Sequence, residues 1–133
     1  MHFMLDTHLC LYAIKHRPPE VSAALRAHGA AGLGLSSITV AELSFVAHKN
    51  GSARNIAALQ QFLEPLEIAD FDRDAAKCYG RLRATLEAAG TPIGPLDTQI
   101  AAHALALDVT LVTHNTREFS RVPGLLLSDW VAV

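Results

Sequence analysis

Three acidic residues in this 133-residue chain sit where an apolar, strand-like run passes into the start of a helix. Asp6 closes the run His2-Phe3-Met4-Leu5, and Glu42 lies within Ile38-Thr39-Val40-Ala41-Glu42-Leu43. Asp97 follows Pro92-Ile93-Gly94-Pro95-Leu96 and precedes Thr98-Gln99-Ile100-Ala101-Ala102. Ionised carboxylates at the edge of an apolar framework are unfavourable unless cations or metals compensate them. Brought together, the three would offer hard oxygen donors for a divalent cation such as Mg2+ or Mn2+. Each also has a local explanation. Asp6 suits the N-cap of a helix beginning at Thr7. Thr39 and Glu42 match the T-x-x-E capping box, and Asp97 falls in a first helical turn, where the helix dipole favours an anion. The two roles are compatible, because a helix dipole that helps ionise a carboxylate also readies it for a cation.

The elements that must carry these acids alternate. Short strands are predicted near 2–5, 33–37, 66–68, 109–113 and 125–127. Helices are predicted over Thr7–Lys15, about Glu20–His28, Thr39–Lys49, Ala53–Leu63, Asp72–Ala89 and about Leu96–Leu107, with a short turn over Thr116–Ser120. Pro18-Pro19 and Gly29-Ala30-Ala31-Gly32 act as breakers, Asn50-Gly51 as a turn, and Ser52 as a cap. Asp70, Asp72 and Asp74 read as a solvated cap of the long helix. Strand and helix in alternation indicate an α/β domain with a mostly parallel sheet, spanning residues 1–133 as a single unit. In such a sheet the strand ends and following helix starts share one edge, where ligands bind. Asp6 after the first strand, Glu42 after the second and the Thr113-His114-Asn115 segment after the fourth belong to that edge, and Asp97 must reach it from a helix start facing the same crevice.

Composition narrows the field. Half of the residues are hydrophobic and 18% are charged, as in a folded domain. The mean hydropathy of +0.23 hints at apolar surface covered by another chain. A formal charge of -2 gives no global attraction for nucleic acid, so phosphate binding must rest on local cations such as Arg73, Lys77, Arg81 and Arg83. The two cysteines, Cys10 and Cys78, share no metal-ligand spacing and read as free thiols in a reducing cytoplasm. Neither a leader peptide nor an apolar run of the roughly 18 residues needed for a membrane span is evident. The seven histidines form no zinc-type pattern, and no G-x-S-x-G supports a serine nucleophile.

Four ordered blocks, MLDTHLCLYAIKHRPPEV, SSITVAEL, AAGTPIGPLDTQIAAHAL and LVTHNTREFSRVPGLLLSDW, together resemble the VapC toxins, which are PIN-domain ribonucleases. The resemblance spans nearly the whole chain. It implies a three-layer α/β/α fold around a short parallel sheet and Mg2+- or Mn2+-dependent RNA cleavage. It also implies a cognate VapB-type antitoxin, a homodimer, and a structured RNA substrate such as initiator tRNA. Asp6, Glu42 and Asp97 match the family's first three acids. The chain departs at the fourth: Asn115 stands where many PIN domains have Asp, and the nearest acid is Glu118. Close relatives often carry Asn where this chain has His8 and His114, which suggests that those two positions are neighbours.

The expected chemistry is hydrolysis of an RNA phosphodiester by water activated at a divalent ion, leaving 5′-phosphate and 3′-hydroxyl ends. Thr7 and Thr113 would bond a carboxylate or the scissile phosphate, or simply cap backbone. His8, His114, Arg81 and Arg83 are the candidate RNA contacts, the histidines when protonated. Two alternatives stay open. One is a catalytically weak PIN-type module that only binds antitoxin or RNA. The other is a small-molecule phosphatase built on Asp6, which lacks the D-x-D pair such enzymes use.

Overall fold

Met4 and Leu5 point into different apolar clusters, and so do their sheet neighbours Leu111 and Val112. Side chains alternate across a strand, so a strand apolar at consecutive positions must be covered on both faces. In the computed structural model, which describes residues 1–15, 19–29 and 32–131, this is the arrangement. Five short strands, β1 (Phe3–Leu5), β2 (Leu33–Ser36), β3 (Glu67–Ala69), β4 (Thr110–Val112) and β5 (Leu127–Ser128), form one sheet in the order β3-β2-β1-β4-β5. All four pairings are parallel.

The helices are α1 (Thr7–Lys15), α2 (Pro19–His28), α3 (Ser37–Lys49), α4 (Ala53–Leu63), α5 (Arg73–Ala88), α6 (Pro95–Leu107) and the single turn α7 (Thr116–Phe119). On one face, Leu9, Cys10 and Ala13 of α1, Val21 of α2, Leu43 and Ala47 of α3 and Leu59 of α4 pack with Leu5, Leu35 and Val112. On the other, Leu82 and Leu86 of α5 and Ile100, Ala101 and Ala104 of α6 pack with Met4, Leu111 and Phe119. The result is three layers, α/β/α. Trp130 closes the first cluster, stacked on His28 with ring centroids 4.4 Å apart and edge-on to Phe3 at 5.3 Å.

The strand order places the site. From β1 the chain steps outward through β2 to β3, then crosses the opposite face by α5 and α6 to enter β4 on the other side of β1. The order reverses between β1 and β4, and the crevice of a parallel sheet opens beyond the carboxyl ends of such strands. Asp6 follows β1 and Thr113 follows β4.

The expected elements are found, with ends displaced by a residue or two, except at α3. Its N-cap is Ser36, whose Oγ accepts from Ile38 N, so the helix starts before Thr39 and the Thr39/Glu42 capping box does not form. Thr39 is instead a fully buried residue of the first turn, and Glu42 lies a turn and a half inside the helix. Pro18 and the Ala30-Ala31 break lie outside the described residues. Asp72 caps α5 through a hydrogen bond from Ala75 N, and Ser52 caps α4. Both cysteines are free, Cys10 buried and Cys78 partly so. Among the described residues no helix is long and apolar enough to cross a membrane.

One glycine is demanded by packing. A Cβ on Gly34 of β2 would meet the Glu67 carbonyl oxygen of β3 at 2.7 Å and would run into the end of the Met1 side chain. Met1 can swing away, but the carbonyl belongs to the adjacent strand. Gly34→Ala is expected to destabilise the fold by about 1–3 kcal/mol, read as an earlier midpoint in urea unfolding. An unchanged midpoint would mean that the spacing of β2 and β3 is slack.

Candidate active site

Asp6 is only 4% exposed, and both its oxygens are engaged. Oδ1 accepts from Leu9 N at 2.8 Å, the N-cap bond of α1. Oδ2 accepts from the Thr113 hydroxyl at 2.5 Å, and Thr113 Oγ1 in turn accepts from Asn115 N at 2.9 Å. Two segments 107 residues apart thus fix one carboxylate at the switch point. Glu42 is held in the same manner from another direction: the Thr7 hydroxyl donates to its Oε1 at 2.8 Å and lies 3.3 Å from Thr39 Oγ1. Thr7 and Thr113 therefore both bond carboxylates.

Asp97 occupies the third position of α6, which begins with Pro95 after Gly94 and has no side-chain cap. Its carboxyl is pushed above its ordinary 3.8, first by burial and then by the negative charges of Glu118, Asp6 and Glu42, with His8 pulling the other way. Asp6 is also raised above 3.8, mainly by burial and further by Glu42, against its two hydrogen bonds and His8. Four acids, Asp6, Glu42, Asp97 and Glu118, thus share one field, and His8 at the start of α1 is its nearby cation when protonated.

Glu118 is the acid that the sequence left doubtful, and Asn115 explains its position. Asn115 Nδ2 donates to Glu118 Oε2 at 3.0 Å. Asn115 and Glu118 therefore act as a unit at the place of the expected fourth acid, the amide holding the carboxylate. Of the charges acting on Asp97, that of Glu118 is the largest.

Among the described residues no three His, Cys, Asp or Glu side chains are gathered closely enough to grip a metal ion by themselves. The acids lie within reach of one another's charge without closing into a cage. The donor set still suits a hard divalent ion. Mg2+ keeps several waters and needs only one or two direct carboxylates, and burial first, then the neighbouring acids, raise the pKa of Asp6 and Asp97, so that a bound cation would favour their ionised forms.

The candidate RNA contacts divide. His8 is exposed beside the acids. His114 is paired through Nδ1 with Asp129 at 3.1 Å, beyond β5, and so is turned to a different partner from His8. Arg81 and Arg83, two residues apart in α5, point about 200° from one another around the helix and cannot act as one cluster. Arg83 borders Pro92, Pro95 and Thr98 near the start of α6 and bonds Glu87 and Tyr79, each at 3.1 Å. Arg81 lies beside Leu105 and Pro123, towards the far end of α6. Sequence reasoning missed Ser36 as the cap of α3; the tandem Ser36-Ser37 after an apolar strand was the available signal. It also missed His103, a lone polar residue within Ile100-Ala101-Ala102-His103-Ala104.

A three-layer fold with an acid crevice at its switch point is that of a PIN domain, and the PIN domain family model matches residues 3–125. The tRNA(fMet)-specific endonuclease VapC of Salmonella typhimurium is 40% identical over 131 residues, covering 98% of each chain. Ribonuclease VapC2 of Rickettsia felis is 41% identical over 132 residues, again covering 98% of each. Among solved structures, VapBC2 of Rickettsia felis bound to a promoter DNA fragment superposes with a TM-score of 0.91 at 39% identity, covering 98% of this chain and 100% of that one. DNA-bound VapBC of Salmonella typhimurium also gives 0.91, at 40% identity, covering 98% and 99%. The chain belongs to the VapC family of PIN-domain proteins.

Proposed function

We propose that this protein is the toxin of a type II toxin–antitoxin pair and acts as a Mg2+- or Mn2+-dependent endoribonuclease. The observation that carries this reading is Asp6: a buried acid, held at one oxygen by Thr113 just after β4 and at the other by Leu9 N of α1, in a field shared with three further carboxylates. A fold retaining so much negative charge in one crevice has a use for a cation there. The neighbours named tRNA(fMet)-specific endonuclease, and those solved as VapBC complexes, support initiator tRNA as substrate and a VapB-type protein as antitoxin. The homodimer implied by the family resemblance belongs to the same reading.

Asp6 and Asp97 would hold the ion directly or through water, with Glu42 completing the site and Glu118, steadied by Asn115, as the fourth acid. When bound, such an ion supplies Lewis-acid charge at the phosphoryl group and acidifies water. The protein's own part is orientation. Thr113 and Leu9 N fix the Asp6 carboxylate, and Thr7 fixes Glu42, leaving it placed to orient the attacking water. His8, when protonated, offers a charge to the RNA phosphate. Attack of water on phosphorus with departure of the 3′-oxygen leaves 5′-phosphate and 3′-hydroxyl ends.

The test is incubation of the purified protein with initiator tRNA and Mg2+ or Mn2+, followed by chemical mapping of the new ends. Cleavage that stops with chelator and yields 5′-phosphate and 3′-hydroxyl ends is expected. A 2′,3′-cyclic phosphate would overturn the mechanism. Antitoxin binding without cleavage of any RNA would favour the binding-module alternative.

A further inference from the structure

One polar pair in the core has no part in the acid crevice. His103 of α6 is 1% exposed, set among the fully buried Ile100, Ala101, Ala102 and Ala104. Its Nδ1 lies 2.8 Å from Oγ of Ser36, which is wholly buried. Ser36 ends β2 and caps α3, its Oγ accepting from Ile38 N at 3.1 Å. The Phe71 ring meets the imidazole edge-on, with centroids 5.4 Å apart. Phe71 N also donates to Oγ of Ser37, the first residue of α3, at 3.0 Å. At this one point α6, the start of α3 and the segment between β3 and α5 are joined. α3 carries Glu42 and α6 carries Asp97.

Counting donors assigns the proton. Ser36 Oγ already accepts from Ile38 N, and among the described residues its hydroxyl has no other acceptor than His103 Nδ1. A bare Nδ1 takes that proton. A protonated Nδ1 would leave the serine hydrogen buried without a partner, which is unfavourable. Burial also lowers the imidazole pKa below 6.5, outweighing the opposing pull of the Asp72 and Asp70 carboxylates and the Asp70 backbone. The hydrogen-bond count and the burial both favour a neutral ring that accepts from Ser36.

We propose that His103 is a positioning residue: by accepting the Ser36 hydroxyl it pins the start of α3 to α6 and so sets the separation of the Glu42 and Asp97 carboxylates. A leucine would fill this apolar stretch and pack with its neighbours, but it would let α3 slide on α6. A buried polar pair with one satisfied geometry fixes the register that apolar packing leaves free. Displacement of a reactive group by about 1 Å can cost roughly a hundredfold in rate.

The kinetic consequence rests on the nuclease reading, whereas the linkage itself does not. The experiment compares His103→Leu, His103→Asn and, as a matched core lesion, Leu86→Ala in α5. In RNA cleavage, His103→Leu should lose about tenfold or more in kcat with KM held within about threefold. His103→Asn, whose Oδ1 replaces the acceptor, should recover most of the loss, and Leu86→Ala should keep kcat despite a lower Tm. Amide NMR shifts around Glu42 should move in His103→Leu and not in Leu86→Ala.

Equal kcat losses in all three variants, no loss in His103→Leu, or unmoved Glu42 amides would overturn the proposal. If the wild-type protein cuts no RNA, the nuclease reading fails and the amide shifts alone decide the linkage. Should His103→Leu not fold, Asn against Gln at this position makes the same comparison, since Gln places its polar group on the far side of the ring site. Asn must then outperform Gln.

Discussion

Asp6→Asn is expected to abolish RNA cleavage while leaving the fold as stable as the wild type or slightly more so. Changing a group that merely supports a metal ligand typically lowers metal affinity or activity by about 10–100-fold, so removing a proposed ligand should exceed roughly a hundredfold. The stability half follows from the raised pKa of Asp6. The folded protein disfavours the charged form, through burial and the Glu42 charge, and a neutral isostere relieves both. The amide oxygen can still accept from Leu9 N and keep the α1 cap. The contact with Thr113 is the loss, because an amide NH2 cannot accept the threonine proton. Asp6→Ala, in contrast, forfeits the cap and should lose about 1 kcal/mol. Gel assays of tRNA cleavage and thermal melts of the two variants check both halves. Wild-type cleavage by Asp6→Asn would remove Asp6 from the chemistry. A fold that collapses in Asp6→Asn would reduce Asp6 to a structural cap.

A divalent cation is expected to raise Tm at neutral pH, and the gain should fade as the solution is acidified. Asp6 and Asp97 both ionise above 3.8 in the folded state. Between 3.8 and those raised values the folded chain holds protons that the unfolded chain has released. The contribution of these two groups to stability is therefore full below 3.8 and is lost as pH rises through the folded pKa values. At neutral pH the protein carries this loss as the cost of two charges held in a buried place, with mutual repulsion among the acids adding to it. A bound cation offsets it, and protons compete for the same oxygens. At a free ion concentration about 100 times Kd the gain would be about 2.7 kcal/mol. The measurement is a set of melts with and without Mn2+ or Mg2+ across pH 5 to 8, at matched ionic strength, beside cleavage rates at the same points. A gain that is absent, or equal at every pH, would separate these acids from any metal. In Asp97→Asn the gain should shrink at all pH values.

What the chain declares on its own is whatever depends on residues a few positions apart. Asp6 before Thr7 and Ser52 before Ala53 are caps that act over two or three residues, and α1 and α4 begin where those caps predict. The consecutive apolar pairs Met4-Leu5 and Leu111-Val112 likewise announce a sheet covered on both faces. The acids could be named from sequence because carboxylates in apolar runs are energetically conspicuous. Their partners could not. Thr7 reaches Glu42 across 35 positions, and Thr113 reaches Asp6 across 107. Local sequence also favoured the wrong cap for α3. The T-x-x-E pattern at Thr39 was sound as chemistry, but Ser36, anchored to His103 67 residues away, caps the helix first.

The three conspicuous acids, their order and the alternation of strand and helix were thus determined by the sequence alone. That Asp97 joins Asp6 and Glu42, that Asn115 holds Glu118 beside them, and that Arg81 and Arg83 diverge were decided only by tertiary structure. The physical reason is range. Capping and side-chain periodicity act within one or two turns. The meeting of β1 with β4 depends on the order β3-β2-β1-β4-β5, which emerges only when both faces of the sheet are buried at once.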